Sequence, residues 1–453
     1  MRKTTLLRAL VALFLLPGAT IAQMSPGARS VAMGGGGMVF ATGVDAVEWN
    51  PANLGWGGGW NISLYEAGFS TLGSGAAFKD MLAVFGAEAP RFLSFLTTDR
   101  TVPQIIDGLP AGGFQFSSVT EGYLTAYGTR QAEIPQPGSP LPSIGIAVGP
   151  IGVRVRSRVL MNASISRDLA DLIGNGFVEQ NIQNYSVGNT GWSTTSFSEV
   201  TVAYGTTLGG LLSVGVGGRY VMGHGMVSGR FFEPDIDLNN LTMTVQSVAV
   251  EATSGTGYGL DVGLSLELPA GFRASASGTN VVQRMTWDEG LVAHSATYAE
   301  SDFDSNVDFI DLLDRYDAQP ITPNSVSLEV FEASQGLFEE SYFPQVFRAG
   351  LGWRSGGTSL EAVGIQVAPR GRYTSAWDER LSVGIEQKIP LLTLRAGMTR
   401  ASDGLGAITA GGGLGLGPVQ LEVSGGKFSG DGSTTVWDGY YGTVALQIKG
   451  GGS

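Results

Sequence analysis

Apolar and polar residues alternate with period two over much of the chain. Val153, Val155, Val159 and Met161 alternate with Arg154, Arg156, Arg158 and Asn162. Leu260, Val262, Leu264 and Leu266 alternate with Asp261, Gly263, Ser265 and Glu267. The same pattern recurs at Leu381–Lys388 around Glu386, at Leu392–Thr399 around Arg395, at Val419–Ser424 around Glu422, and at Val444–Lys449. Each run predicts a β-strand with one apolar and one polar face. A soluble sandwich would bury the apolar faces, whereas a transmembrane barrel would turn them to lipid and the polar faces to a lumen. Alternation alone fits both.

The connections discriminate. Short turns are expected at Gly149-Pro150, Thr207–Gly210, Pro269–Gly271, Gly356-Gly357, Ile389-Pro390 and Gly415–Pro418. Between them fall connections that are often much longer, at about 166–193, 224–256, 287–344, 370–378, 401–403 and 429–433. Regular alternation of short and longer connections is the habit of an up-and-down membrane barrel. The scheme predicts an all-β protein, a transmembrane antiparallel up-and-down β-barrel of about 14 strands, the first near 59–69 and the rest from about 141 to 449. The stretch 70–140 is one long insertion that could hide two more strands. Trp60, Trp192, Trp287, Trp353, Trp437, Tyr440 and Tyr441 lie near strand ends, as aromatic girdles at membrane interfaces would.

Composition sharpens this outline. Gly accounts for 69 of 453 residues without a collagen-like period, and only 15% of residues are charged, which suits twisted strands and tight turns. The first 22 residues read as a cleaved export signal, with basic Arg2, Lys3 and Arg8, an apolar core at Leu10–Leu16, and Thr20-Ile21-Ala22 before Gln23. No later stretch is apolar enough for a membrane helix. There is no Cys, so no disulfide contributes to stability. A net charge of −13 disfavours nucleic acid as a partner.

Between the signal and the first strand lies GARSVAMGGGGMVFATGVDAVEWNPANL, residues 27–54, too rich in Gly for a stable helix and too apolar for a disordered linker. Its motifs are Gly27-Ala28-Arg29, Met33-Gly34-Gly35, Asp45 and Asn50-Pro51-Ala52. This stretch resembles the N-terminal signature of FadL-type outer-membrane barrels. The resemblance implies a segment over about 23–58 folded inward as a plug or hatch of a barrel spanning 59–449. It further implies outer-membrane lipid as surroundings, assembly by the outer-membrane machinery, and passive transport or binding of hydrophobic, fatty-acid-like small molecules, released in part through a lateral opening. The alternative is a surface-anchoring or protein-shuttling barrel that resembles PorV proteins of type IX secretion, with a surface or secreted protein as partner. One departure is the C-terminus, Ile448-Lys449-Gly450-Gly451-Gly452-Ser453, which lacks the terminal aromatic residue usual in such barrels.

Candidate chemistry is sparse. On a barrel wall, Arg154, Arg156 and Arg158 must face the lumen, since three arginines facing lipid would be very costly. There they could pair with Glu199, Asp261 or Glu267, or face an anionic ligand. Glu386, Arg395 and Glu422 are further lumen candidates. The Gly34–Gly37 run lacks the Lys-Ser or Lys-Thr of a phosphate cradle. With His224 and His294 the only histidines, no metal or cofactor site and no catalytic residue is assigned.

Overall fold

The computed structural model describes residues 27–74, 114–121, 143–178, 183–188, 190–303, 332, 337, 345–368, 379–401, 404–431 and 436–450. The expected signal, most of the 70–140 insertion and much of the 287–344 connection lie outside them.

Eighteen strand segments form one sheet: β1 (Trp60–Ser74), β2 (Phe114–Glu121), β3 (Ile144–Val148), β4 (Ile151–Ile165), β5 (Gly191–Leu208), β6 (Leu212–Phe231), β7 (Asp235–Asp237), β8 (Thr242–Ala252), β9 (Ser254–Glu267), β10 (Phe272–Glu289), β11 (Val292–Ala299), β12 (Gln345–Ser355), β13 (Thr358–Ala368), β14 (Glu379–Ile389), β15 (Leu392–Ala401), β16 (Gly406–Leu416), β17 (Val419–Asp431) and β18 (Val436–Gly450). β2 and β3 both lie between β1 and β4 and share one place in the wall. β8 and β9 likewise share a place beside β6, and β10 and β11 continue one another opposite them. β7 is a short flap on β8. The wall therefore has 14 antiparallel strands, closed by the pairing of β1 with β18. Closure gives each of the 14 places in the wall a paired neighbour on both sides, with β10 carrying the pairing to β12, which a sheet in lipid requires.

The period-two pattern sets the two faces. On β9, Leu260, Val262, Leu264 and Leu266 point outward and are exposed, whereas Asp261 and Ser265 point inward and are buried. β14 and β15 repeat this with Leu381, Val383 and Ile385, and with Leu394 and Met398, outside. This is an apolar belt facing out and a polar interior, the inverse of a soluble β-protein.

Strands run further than expected at the long-loop end. β6 reaches Phe231 and β8 starts at Thr242, both within the connection expected over 224–256. At the same end α3 (Arg167–Asn175) follows β4. Ser166 caps α3 by accepting the Leu169 N–H at 3.1 Å. Trp192, Phe231, Tyr298 and Phe303 follow one another at ring separations of 5.8–6.2 Å.

The aromatic girdle is partly corrected. Trp60 and Tyr440 are exposed outside, but Trp192, Trp287 and Tyr441 are buried, and the Trp437 side chain lies outside the described residues. The reason is glycine on the neighbouring strands. Gly229 stands against the Trp192 ring, Gly223 and Gly255 against Trp287, and Gly426 against Tyr441, so the rings occupy volume that other residues would fill.

Candidate functional site

The N-terminal segment crosses the interior from one side of the barrel to the other. It comprises α1 (Ala28–Ala32), a glycine turn, an extended stretch Met38–Ala41, α2 (Val44–Trp49) and a 3₁₀ turn Pro51–Trp56. Every residue from Gly27 to Ala41 is buried. Val31 packs with Ala401, Leu405, Ala407, Phe428 and Tyr441. Met38–Ala41 and Trp49 pack on Val346, Val363, Ile365 and Val367. Val44, Ala46, Val47 and Leu54 pack on Ala147 and Ala203, on the β3–β5 side. Asn50 ties the last turn down. Its Oδ1 accepts the Ala52 N–H at 3.1 Å and its Nδ2 donates to the Leu264 carbonyl at 3.0 Å. Pro51 then starts the 3₁₀ turn, where its missing N–H costs nothing.

Two ionic hooks hold the segment. At the first, Arg29 Nη2 lies 2.6 Å from Glu361 and its Nε 3.2 Å from Glu386. The other Glu361 oxygen accepts the Val39 N–H at 2.8 Å. Arg395 continues the chain, 2.7 Å from Glu386 and 3.1 Å from Glu422. At the second hook, Glu48 meets three arginines of β4: Arg154 at 2.9 Å, Arg158 at 3.1 Å, and Arg156 in direct contact. Arg154 also reaches Glu66 at 2.6 Å, and Arg156 pairs with Glu199. Arg219 joins Glu199 to Asp261 at 2.6 and 2.7 Å. Charges alternate in sign along both chains, which is how buried ions are tolerated.

Aromatic residues of the segment are capped by wall arginines. Arg348 lies 4.8 Å from the Trp49 ring centre, Arg354 lies 4.2 Å from Phe40, and Arg273 stands 5.3 Å from Phe40 and 5.1 Å from Trp56.

One step further along the same inward faces the lining changes character. Phe197 lies two residues beyond Glu199 on β5, and Val221 two beyond Arg219 on β6. With Met226, Val248, Val250, Ala252, Met285 and Trp287 they form a buried apolar cluster. Leu337, from the connection between β11 and β12, packs into it. A buried apolar cluster thus lies on the long-loop side of the ionic belt, on β5, β6, β8 and β10.

The expected site residues are distributed as follows. Gly27, Ala28, Arg29, Met33, Gly34 and Gly35 form α1 and the turn after it. Asp45 lies half-exposed in the first turn of α2. Arg154, Arg156 and Arg158 converge on Glu48, and Asp261 pairs with Arg219 rather than with them. Glu267 pairs with Arg273 at 2.6 Å, near the short-turn end. His224 Nε2 lies 2.7 Å from Ser198, and His294 lies 3.4 Å from Glu251 on the paired strand β8. Glu48, Glu361 and Glu66 are the residues that sequence reasoning missed. Glu48 had a signal, being a lone carboxylate between Val47 and Trp49 that must find cations if buried.

No family model matches the sequence, and no curated protein matches it. Among solved structures, a TodX mutant described as a monoaromatic hydrocarbon channel is similar over 93% of this chain and 98% of its own, with a TM-score of 0.50 and 11% identity. This chain has the FadL-type barrel fold. The Pseudomonas putida toluene transporter TodX and a Pseudomonas aeruginosa FadL homologue, each with 11% identity and a TM-score of 0.46, cover 99% of their own chains and 94% and 96% of this one. A closed 14-stranded barrel with its apolar belt turned outward sits in an outer membrane, and barrels of that kind carry their short turns on the periplasmic side.

Proposed function

We propose that the protein is a passive channel for hydrophobic small molecules, with Gly27–Trp56 as its plug. The observation that carries this reading is the change of lining inside one barrel. An apolar cluster around Trp287 faces the outer side, and a charged belt that grips the N-terminal segment lies beneath it. A hydrophobic solute would gain by entering the cluster and would lose by crossing the belt. The passage therefore needs the segment to move, and the solute's access is confined to the outer side until it does. A fold shared with a monoaromatic hydrocarbon channel agrees with a lining of Trp, Phe and Met side chains, which suit flat apolar solutes. Departure of the solute sideways into the membrane is part of the same proposal.

Uptake of radiolabelled toluene and of a long-chain fatty acid into cells expressing the protein tests it. Trp287→Ala is expected to lower uptake roughly tenfold, as loss of most of one aromatic burial would. If neither solute enters faster than in cells carrying a barrel of unrelated function, the channel reading fails. The anchoring alternative would then be the reading to pursue.

A further inference from the structure

The apolar belt is not uniform. On the outer face of β9–β15 there is an open groove of about 1080 Å³. Its floor is one row of residues in register across neighbouring strands: Leu264 opposite Ala276, Ala276 opposite Ala349, Ala349 opposite Gly364, Gly364 opposite Leu381, and Leu381 opposite Arg400. The middle of the row is Ala-Ala-Gly, so the surface sinks between the bulkier leucines at either side. Gly364 has open space above it, its nearest atom to an added Cβ being the Ala349 carbonyl at 3.8 Å. The row above contains Phe347, Gln366 and Glu379, which are paired in register and mark where the belt becomes polar. Arg400 stands exposed at the end of the floor. Among the described residues it has no carboxylate within ion-pair distance.

A groove in this place is reached from the membrane, since it interrupts the outward apolar face. Its floor is apolar up to Arg400, and Gln366 and Glu379 border it on the polar side. An arginine on the lipid-facing side is unfavourable unless it lies near the interface or meets an anion. We propose that this groove is a binding site for one anionic phospholipid of the outer membrane, an acyl chain lying along the row and the headgroup phosphate on Arg400. The volume is ample for an acyl chain, and the cation at one end of an apolar trough matches the polarity of a lipid with one charged end. The site is separate from the interior passage. Its floor residues face outward, whereas those that hold the N-terminal segment face inward.

Native mass spectrometry of the detergent-extracted protein, titrated with phosphatidylglycerol or with phosphatidylcholine of the same chains, tests the site. The wild-type protein is expected to retain one phosphatidylglycerol in preference to phosphatidylcholine. Arg400→Gln should reduce that preference roughly fivefold, the effect of one basic residue at a membrane surface. Gly364→Leu, which the open space accommodates without clash, should reduce retention of both lipids by filling the trough. Ala349→Leu is a second variant with the same expected result, and heat-modifiable gel mobility confirms that each variant remains a barrel. Equal retention of the two lipids by the wild type, or retention unchanged in Arg400→Gln and in both leucine variants, would overturn the proposal.

Discussion

Glu48→Gln is expected to open the barrel. The carboxylate is buried and serves Arg154, Arg156 and Arg158 together. The amide keeps its size and removes its charge. Arg154 then keeps Glu66, and Arg156 and Arg158 share Glu199. Breaking a buried ion pair from one side costs about 3–5 kcal/mol, because the partner charge stays buried. That loss falls on the seating of α2 more than on the wall, whose strands are held by the closed hydrogen-bond ladder. The measurement is single-channel conductance in planar bilayers, with proteolysis of the N-terminal segment from the periplasmic side. The variant should conduct and should be cut, while the wild type resists both. A variant as closed and as protected as the wild type would mean that Glu48 does not hold the segment.

Gly397→Leu should have the next largest effect, by a different route. A Cβ at this position would stand within 3.0 Å of backbone atoms of Met33 and Gly34, and backbone cannot swing aside as a side chain can. From the other side, a Cβ on Gly34 would meet Met398 backbone at 2.7 Å, and Gly34 has φ +72°, which L residues rarely adopt. The turn between α1 and Met38 is therefore pressed directly on the wall. It is held there by Thr399 bonding to the Gly34 carbonyl and by Thr409 donating to the Ala32 carbonyl at 2.8 Å. Overpacking of this kind costs about 1–3 kcal/mol. Here it is relieved only by lifting the turn, which also draws Arg29 away from Glu361 and Glu386. Conductance should rise and the gel mobility of the barrel should stay heat-modifiable. Gly412→Ala is the control, its nearest neighbour being the Thr393 carbonyl at 3.5 Å. If Gly397→Leu conducts no more than that control, the seat is looser than the contact distances imply.

The two variants probe opposite ends of the segment. Arg29 and Gly34 bind it to β13–β16, and Glu48 and Asn50 bind it to β4 and β9. Asn53 joins the halves by donating to the Met38 carbonyl at 2.8 Å. Comparing the variants shows whether the proposed plug leaves as one body or one half at a time.

Much of the wall was legible because a strand in a membrane barrel is written locally. Leu260 to Glu267 alternates strictly, and its two faces meet lipid and interior as alternation requires. The turn at Ile389-Pro390 carries its own chemistry and ends β14 where expected. The interior is different. That Arg154, Arg156 and Arg158 cannot face lipid follows from their own cost, but their shared partner does not. Glu48 precedes them by more than a hundred residues and lies on another element, so no local period links them. Trp192 and Trp287 were misread for the same reason. A Trp near a strand end fits an interfacial girdle equally well until the glycines beside it, Gly229, Gly223 and Gly255, are known to open room inside.

By itself, then, the sequence determined the strand faces, the alternation of short and long connections, the closed wall of about 14 strands and the N-terminal position of an irregular, glycine-rich segment. Those properties depend on side-chain period, turn chemistry and the cost of charge in lipid, each of which acts over a few residues. Only the tertiary structure decided how that segment is gripped, where the interior turns from charged to apolar, and where the outer belt sinks at Gly364. Those depend on which residues closure of the barrel brings together across hundreds of positions, and the pairing that does so is not encoded in any one stretch of chain.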